Sequence, residues 1–210
     1  MIPFTLGRIT MIKLKDPING EESFESLLYK RRSVRSFNSS KISFQQLSNL
    51  LFAAYGVRNN GPYKTVPSAG ALYPLSIYAA IGKESLEELK AGVYRYMPIT
   101  NSLELVKEGD ARRIIAISCL GQAFISKAPV SIIISANFER MKYKYGNRGI
   151  RYAIIESGHS CQNLELAAVS VGLVSCPVGA FSDNDIIKAI GLSDYEIPLY
   201  VVPIGYEEKE

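Results

Sequence analysis

Residues 149–171 constrain the fold more than any other stretch of the chain. The run from Gly149 to Val171 has helical spacing, yet its apolar side chains fall on several faces, among them Ile150, Ile154, Cys161, Leu164 and Ala168. A helix apolar nearly all round is stable only when it is covered on nearly all sides. A chain of 210 residues suits one globular domain with a real core. In a domain of that size, part of the cover is expected from a second copy of the chain.

The other elements follow from periodicity and punctuation. Residues 22–31 place Phe24, Leu27 and Leu28 at helical spacing among charges,. Ser43 is an N-cap for a helix through Leu47, Leu50, Leu51 and Ala54 that ends at Gly56,. Residues 57–70 read as a loop rich in Asn, Gly and Pro. Leu75–Ile81 reads as a strand, and Val93–Tyr96 with Leu103–Val106 as a hairpin around Pro98 and Asn101,. Asp110 opens a helix expected to end near Lys127. Val130–Ser135 is a β-branched run that predicts a buried strand, residues 184–190 a short helix, and Pro198–Ile204 a last strand. No strict βαβ rhythm and no composition break appears, so the expected fold is a single α+β domain, 1–210, with a largely antiparallel sheet flanked by helices.

Composition narrows the functional classes. The net charge of +4 comes without a long basic run, which argues against nucleic-acid binding. No apolar stretch reaches the roughly 18 residues of a membrane helix. The amino terminus lacks the pattern of a signal peptide. Cys119, Cys161 and Cys176 are odd in number, form no CxxC and sit in apolar surroundings. Reduced, buried thiols and a cytoplasmic setting are therefore expected. His159 is the only histidine. Glu156 three residues earlier is a natural partner for it in a core or interface, and no spacing for a metal site is visible.

Two segments carry chemistry. Arg31-Arg32-Ser33-Val34-Arg35-Ser36-Phe37 gathers three guanidiniums and two hydroxyls, and guanidiniums suit the planar, bidentate contacts of a phosphate. About thirty residues on, Pro67-Ser68-Ala69-Gly70-Ala71-Leu72-Tyr73-Pro74 sets small residues between prolines. That composition lets backbone approach a flat ligand closely. Together the segments read as the phosphate and ring halves of a mononucleotide site. No GxGxxG turn follows a strand, as a Rossmann dinucleotide site would want.

With further matches at Ala54-Tyr55-Gly56-Val57, Gly92-Val93-Tyr94-Arg95-Tyr96, Lys144-Tyr145-Gly146, Glu156-Ser157-Gly158-His159, Gln162-Asn163-Leu164, Pro177-Val178-Gly179-Ala180-Phe181 and Pro203-Ile204-Gly205-Tyr206, the chain resembles the FMN-dependent nitroreductase-like family. It looks most like the SagB-type dehydrogenase branch, which includes thiazoline and oxazoline oxidases. The ordered set spans about residues 22–206.

The resemblance implies an intertwined homodimer with FMN at each subunit interface and a small-molecule or peptide substrate. NADH or NADPH is a possible reductant. It implies that Arg31, Arg32, Ser33 and Arg35 hold the phosphate and ribityl chain, and that Pro67, Ser68, Ala69 and Gly70 meet the isoalloxazine. Cys176, Pro177, Val178, Gly179 and Ala180, from the partner subunit, meet the ring edge. Many nitroreductases carry a Glu-Gly pair where this chain has Val178-Gly179, so only backbone contacts carry over there. In azoline oxidases a Lys-Tyr pair beside the flavin serves as base and proton donor, and Lys144 with Tyr145 matches it. A Lys of lowered pKa can take a proton as hydride leaves for the flavin. The expected function is an FMN-dependent oxidoreductase. The alternative is a flavin-binding scaffold, or a non-turnover subunit of a peptide-modifying, azoline-forming complex.

Overall fold

The structure is a computed structural model that describes residues 11–58 and 61–208. The reading of the amino terminus as free of a signal peptide falls on residues 1–10, outside the described residues.

Among the described residues seven strands form one sheet: β1 (Met11–Lys13), β2 (Leu75–Ile81), β3 (Gly92–Met97), β4 (Ser102–Glu108), β5 (Val130–Asn137), β6 (Val174–Ser175) and β7 (Glu196–Gly205). Their order is β1-β4-β3-β2-β5-β7-β6, and neighbouring strands run antiparallel. The central strands are apolar on both faces because both faces are covered. Along β2, Ile77, Ala79 and Ile81 enter one core while Tyr78 and Ala80 enter the other. Along β5, Ile132 and Ile134 face the first core and Ile133 the second.

The first core is closed by α2 (Phe44–Tyr55) and α6 (Arg148–Ser170), through Leu47, Leu51, Ala153 and Leu164. The second is closed by α3 (Arg112–Ser118) and α7 (Asp183–Ile190), through Ile115, Ile186 and Ile190. The result is three layers: helices, sheet, helices.

Local chemistry fixes the element ends. Ser43 caps α2 by accepting from the Gln46 amide at 3.1 Å, and the Gln46 side chain accepts from the Ser43 amide at 2.8 Å. This reciprocal box satisfies two amides left free by the first turn. The expected helix from Asp110 to Lys127 is instead two, α3 and α4 (Phe124–Lys127). Leu120 and Gly121 take left-handed φ of 57° and 74° between them, which ends a right-handed helix. α5 (Phe138–Tyr145) leaves β5 without a loop. Asn137, the last residue of β5, caps it by accepting from the Arg140 amide at 3.1 Å. α1 (Phe24–Lys30) lies against α6 with no fully buried residue.

No described helix is long and apolar enough to cross a membrane. The three cysteines are buried. Burial pushes the thiols of Cys119 and Cys161 up to about 12 and raises that of Cys176.

Candidate functional site

The arginine segment leaves α1 as extended chain along the sheet edge. The Val34 amide donates to the Ser175 carbonyl at 2.9 Å, and Ser33 pairs with Ser175 in a parallel bridge. Along this extended stretch Val34 and Phe37 are buried, while Ser33 and Arg35 are exposed. Arg31 sits 3.2 Å from Glu165, a buried carboxylate on α6. Burial raises the Glu165 carboxyl and the guanidinium opposes it. Arg32 is exposed and donates to both carboxylate oxygens of Glu207, at 2.7 and 2.5 Å. Arg35 has no carboxylate within 4.0 Å among the described residues. Of the three guanidiniums it is therefore the one whose charge is free for an incoming anion.

Cys176 follows β6 and lies beside this segment. Arg35 and Ser33 both favour its thiolate, against the larger effect of burial. Val178 exchanges two backbone hydrogen bonds with Val201, 2.8 and 2.9 Å, which fixes the segment. Pro177 is half-buried, while Gly179 and Ala180 surface. A Cβ at Gly179 would meet nothing within 4 Å, so backbone there is open to close approach. The sequence expectation assigned Cys176–Ala180 to the partner of the chain that supplies the arginines. Within this chain Ser33 and Ser175 are paired, so the arginine and Cys176 segments lie side by side.

The Pro67–Pro74 segment is a strained turn. Residues Ala69–Ala71 form one 3-10 turn, and Gly70, Ala71 and Tyr73 have φ of 62°, 52° and 51°. Left-handed non-glycine residues cost about 1–3 kcal/mol each and persist only where surroundings over-determine them. Here one carboxylate does so. Ser68 Oγ accepts from the Tyr73 amide at 2.9 Å and donates to Glu156 Oε2 at 2.5 Å. Tyr55 accepts from the Leu75 amide at 3.1 Å and donates to Glu156 Oε1 at 2.7 Å. Glu156 on α6 thus holds both ends of the turn. Burial raises its carboxyl pKa, opposed by the two hydroxyls, Lys64 and His159. Asn163, two turns further along α6, donates to the carbonyls of Ala53 and Thr65 at 3.3 and 3.2 Å and pins the preceding loop.

This turn meets the Lys-Tyr pair. A Cβ at Gly70 would fall 2.5 Å from Tyr145 Oη and 2.8 Å from Lys144 Nζ. Only a glycine leaves that space, and its φ favours glycine as well. Tyr145 packs edge-on against Tyr152, with ring centroids 5.1 Å apart. Lys142 and Tyr143 on the same helix stay away: Tyr143 is 95% exposed and Lys142 pairs with Glu139.

Glu156 was legible as a motif residue but was assigned to His159. His159 lies on the exposed face of α6, and its charge favours the Glu156 carboxylate, whose hydrogen bonds come from Ser68 and Tyr55. Lys64 escaped sequence reasoning altogether. It sits in the loop after α2, with Nζ 3.6 Å above the Tyr55 ring and 5.1 Å from that of Tyr73. Burial, then the charge of Arg140, holds its amine down to about 8. Beyond it opens a cavity of about 1170 Å3. The buried Glu156 inside an apolar helix was the one visible signal of this cluster.

Both groups meet α6. Glu165 lies at the arginine segment and Glu156 at the turn, nine residues or about 13 Å apart along the axis,. The donor set fits a flavin mononucleotide. A free guanidinium and an exposed hydroxyl suit the phosphate end, and an accessible glycine turn suits the ring.

Fold and site together define a class: a three-layer α+β domain whose single antiparallel sheet carries an arginine-lined edge and a strained glycine turn against a Lys-Tyr pair. The chain belongs to the nitroreductase family, whose sequence profile matches residues 28–206. A nitroreductase-family protein of Methanocaldococcus jannaschii is 43% identical over 185 residues, covering 88% of this chain and 91% of that one. The microcin B17-processing protein McbC of Escherichia coli is 28% identical over 173 residues. Those residues are 80% of this chain but 64% of McbC, so the chain spans under two thirds of that relative. A nitroreductase-family structure from Ralstonia eutropha superposes with a TM-score of 0.83 at 27% identity, covering 95% and 90% of the two chains. The E. coli microcin synthetase McbBCD complex with truncated pro-MccB17 bound contains a chain that matches with a TM-score of 0.76 at 26% identity, covering 100% of this chain and 79% of that one. The likeness to McbC is the SagB-type side of the resemblance.

Proposed function

We propose that the protein is an FMN-dependent oxidoreductase of the SagB-type dehydrogenase kind, working as a cytoplasmic homodimer. The observation that carries this reading is that Lys144 Nζ and Tyr145 Oη fill the space a Cβ at Gly70 would take. It sets a turn suited to a flat ring beside an amine and a phenol suited to proton transfer. When bound, FMN supplies a reversible acceptor for hydride or electrons.

This chain's own groups do the rest. Arg35, with Arg31 and Arg32, meets the phosphate, and Ser33 the ribityl hydroxyls. The backbone of Pro67, Ser68, Ala69 and Gly70 lies along the ring, and that of Cys176, Pro177, Val178, Gly179 and Ala180 at its edge. Since the arginine and Cys176 segments lie side by side in one chain, both would hold the flavin from the same subunit. Lys144 accepts a substrate proton and Tyr145 orients the substrate heteroatom. The apolar side chains of α1 (Phe24, 59% exposed) and α6 (Ile154, 50% exposed) offer surface for the partner.

The likeness to a chain of the microcin synthetase complex supports a second reading, a flavin-binding subunit without turnover in a peptide-modifying assembly. One experiment separates the two. The purified yellow protein is expected to bleach anaerobically with NADH or NADPH and to recover in air. Bleaching by dithionite alone favours the second reading.

A further inference from the structure

The loop after α2 folds back on itself. Val57 bridges Lys64, and the Arg58 amide donates to the Tyr63 carbonyl at 2.8 Å. This carries the Lys64 ammonium inward over Tyr55 and Tyr73. Nζ has no carboxylate within 4.0 Å among the described residues. The carboxylate that acts on it, Glu156, already accepts from Ser68 and Tyr55. Arg140, on the first turn of α5, lines the same cavity as Lys64 and likewise has no carboxylate within that distance among the described residues. Two cations thus line the cavity without an ion-pair partner among the described residues; the carboxylates that also line it are Asp16 and Glu196, and Glu196 already accepts from Tyr78 and Ser193 and faces Arg95. A partly desolvated ammonium without a partner is costly, and an anionic ligand relieves that cost. Phe52, Leu75 and Ile77 supply apolar lining to the same cavity.

We propose that Lys64 and Arg140 form an anion subsite that takes the carboxylate of an organic acid, with the acid's apolar body against the Phe52 and Ile77 lining. A guanidinium and an ammonium over aromatic rings suit a compact monoanion. The proposal rests on the redox reading only in calling that acid a substrate.

The test is calorimetric titration of the purified protein with 4-nitrobenzoate and with its neutral isostere 4-nitrobenzamide. The parent is expected to bind the acid about tenfold or more tightly than the amide, the effect of one charge-assisted contact. Lys64→Met and Arg140→Gln should each bring the acid-to-amide ratio toward one, and Lys64→Arg should restore part of it. Arg140 is exposed, so its variant reports even if Lys64→Met fails to fold. A parent that binds both probes alike, or neither, overturns the subsite, as does a preference that survives Arg140→Gln undiminished. No turnover is involved. A protein that prefers the acid yet is reduced by no donor keeps the subsite and loses the redox reading.

Discussion

Ser68 and Glu156 stand 88 residues apart in the chain and are joined by a 2.5 Å hydrogen bond. Through it a helix carboxylate holds a turn that no local preference would hold. Glu156→Gln removes half of the clamp, because one amide oxygen cannot replace two carboxylate oxygens and the amide nitrogen is a donor. An unsatisfied buried hydroxyl costs about 1–3 kcal/mol, and a chain of this size loses about 2–4 °C of Tm per kcal/mol. A fall of about 3–10 °C is expected in thermal melts, with weaker flavin retention. A variant with parent Tm and parent flavin content would contradict the clamp.

Lys64 gives a pH signature. Its folded pKa is lowered from 10.5 to about 8, with Arg140, Glu156, Tyr55 and Tyr73 facing it. Between about pH 8 and 10.5 the unfolded chain binds the proton that the folded chain has lost, so stability from this group rises with pH. Below about pH 8 the buried charge is a fixed cost. The Tm of the parent should therefore gain on that of Lys64→Met between pH 7 and pH 9. A constant difference across that range would remove the shift.

Lys144 separates two kinds of turnover. If the substrate loses hydrogen from carbon, Lys144→Ala should keep the flavin spectrum and lose about 10²–10⁴-fold in rate. Reduction by NADH or NADPH should be nearly unchanged, since no base is then required. Stopped-flow flavin reduction with both donor types reads the difference. Parent rates with every donor would take Lys144 out of the mechanism.

The exposed face of α6 carries Ile154 and Ile155, 50% and 49% exposed. Stable interfaces between copies commonly bury more than about 2,000 Å2. Light scattering is expected to give twice the 23.2 kDa chain mass, and Ile154→Glu with Ile155→Glu to shift it toward the monomer. A flavin-loaded monomer of the parent at micromolar concentration is the contrary result.

Much of the frame was legible because its signals are local. Ser43 with Gln46 announces α2, and the β-branched run announces β5. α5 was not legible. It begins where β5 ends, so no loop residue separates the two, and its polar face resembles a solvated tail. The break at Leu120–Gly121 was hidden inside a run with helical spacing. At the site, residue types marked the arginine segment and the Pro67–Pro74 turn. Which carboxylate holds that turn, and that Lys64 lies over Tyr55, are facts of tertiary packing. A lysine in a Gly- and Pro-rich loop reads as solvated until α2 and α5 close over it.

The central claim is a flavin mononucleotide held by Arg35, Ser33 and the Gly70 turn. Its most direct test is to denature the purified protein and chromatograph what it releases. The account predicts FMN at close to one per chain. FAD, or no flavin even after reconstitution with FMN, would contradict it.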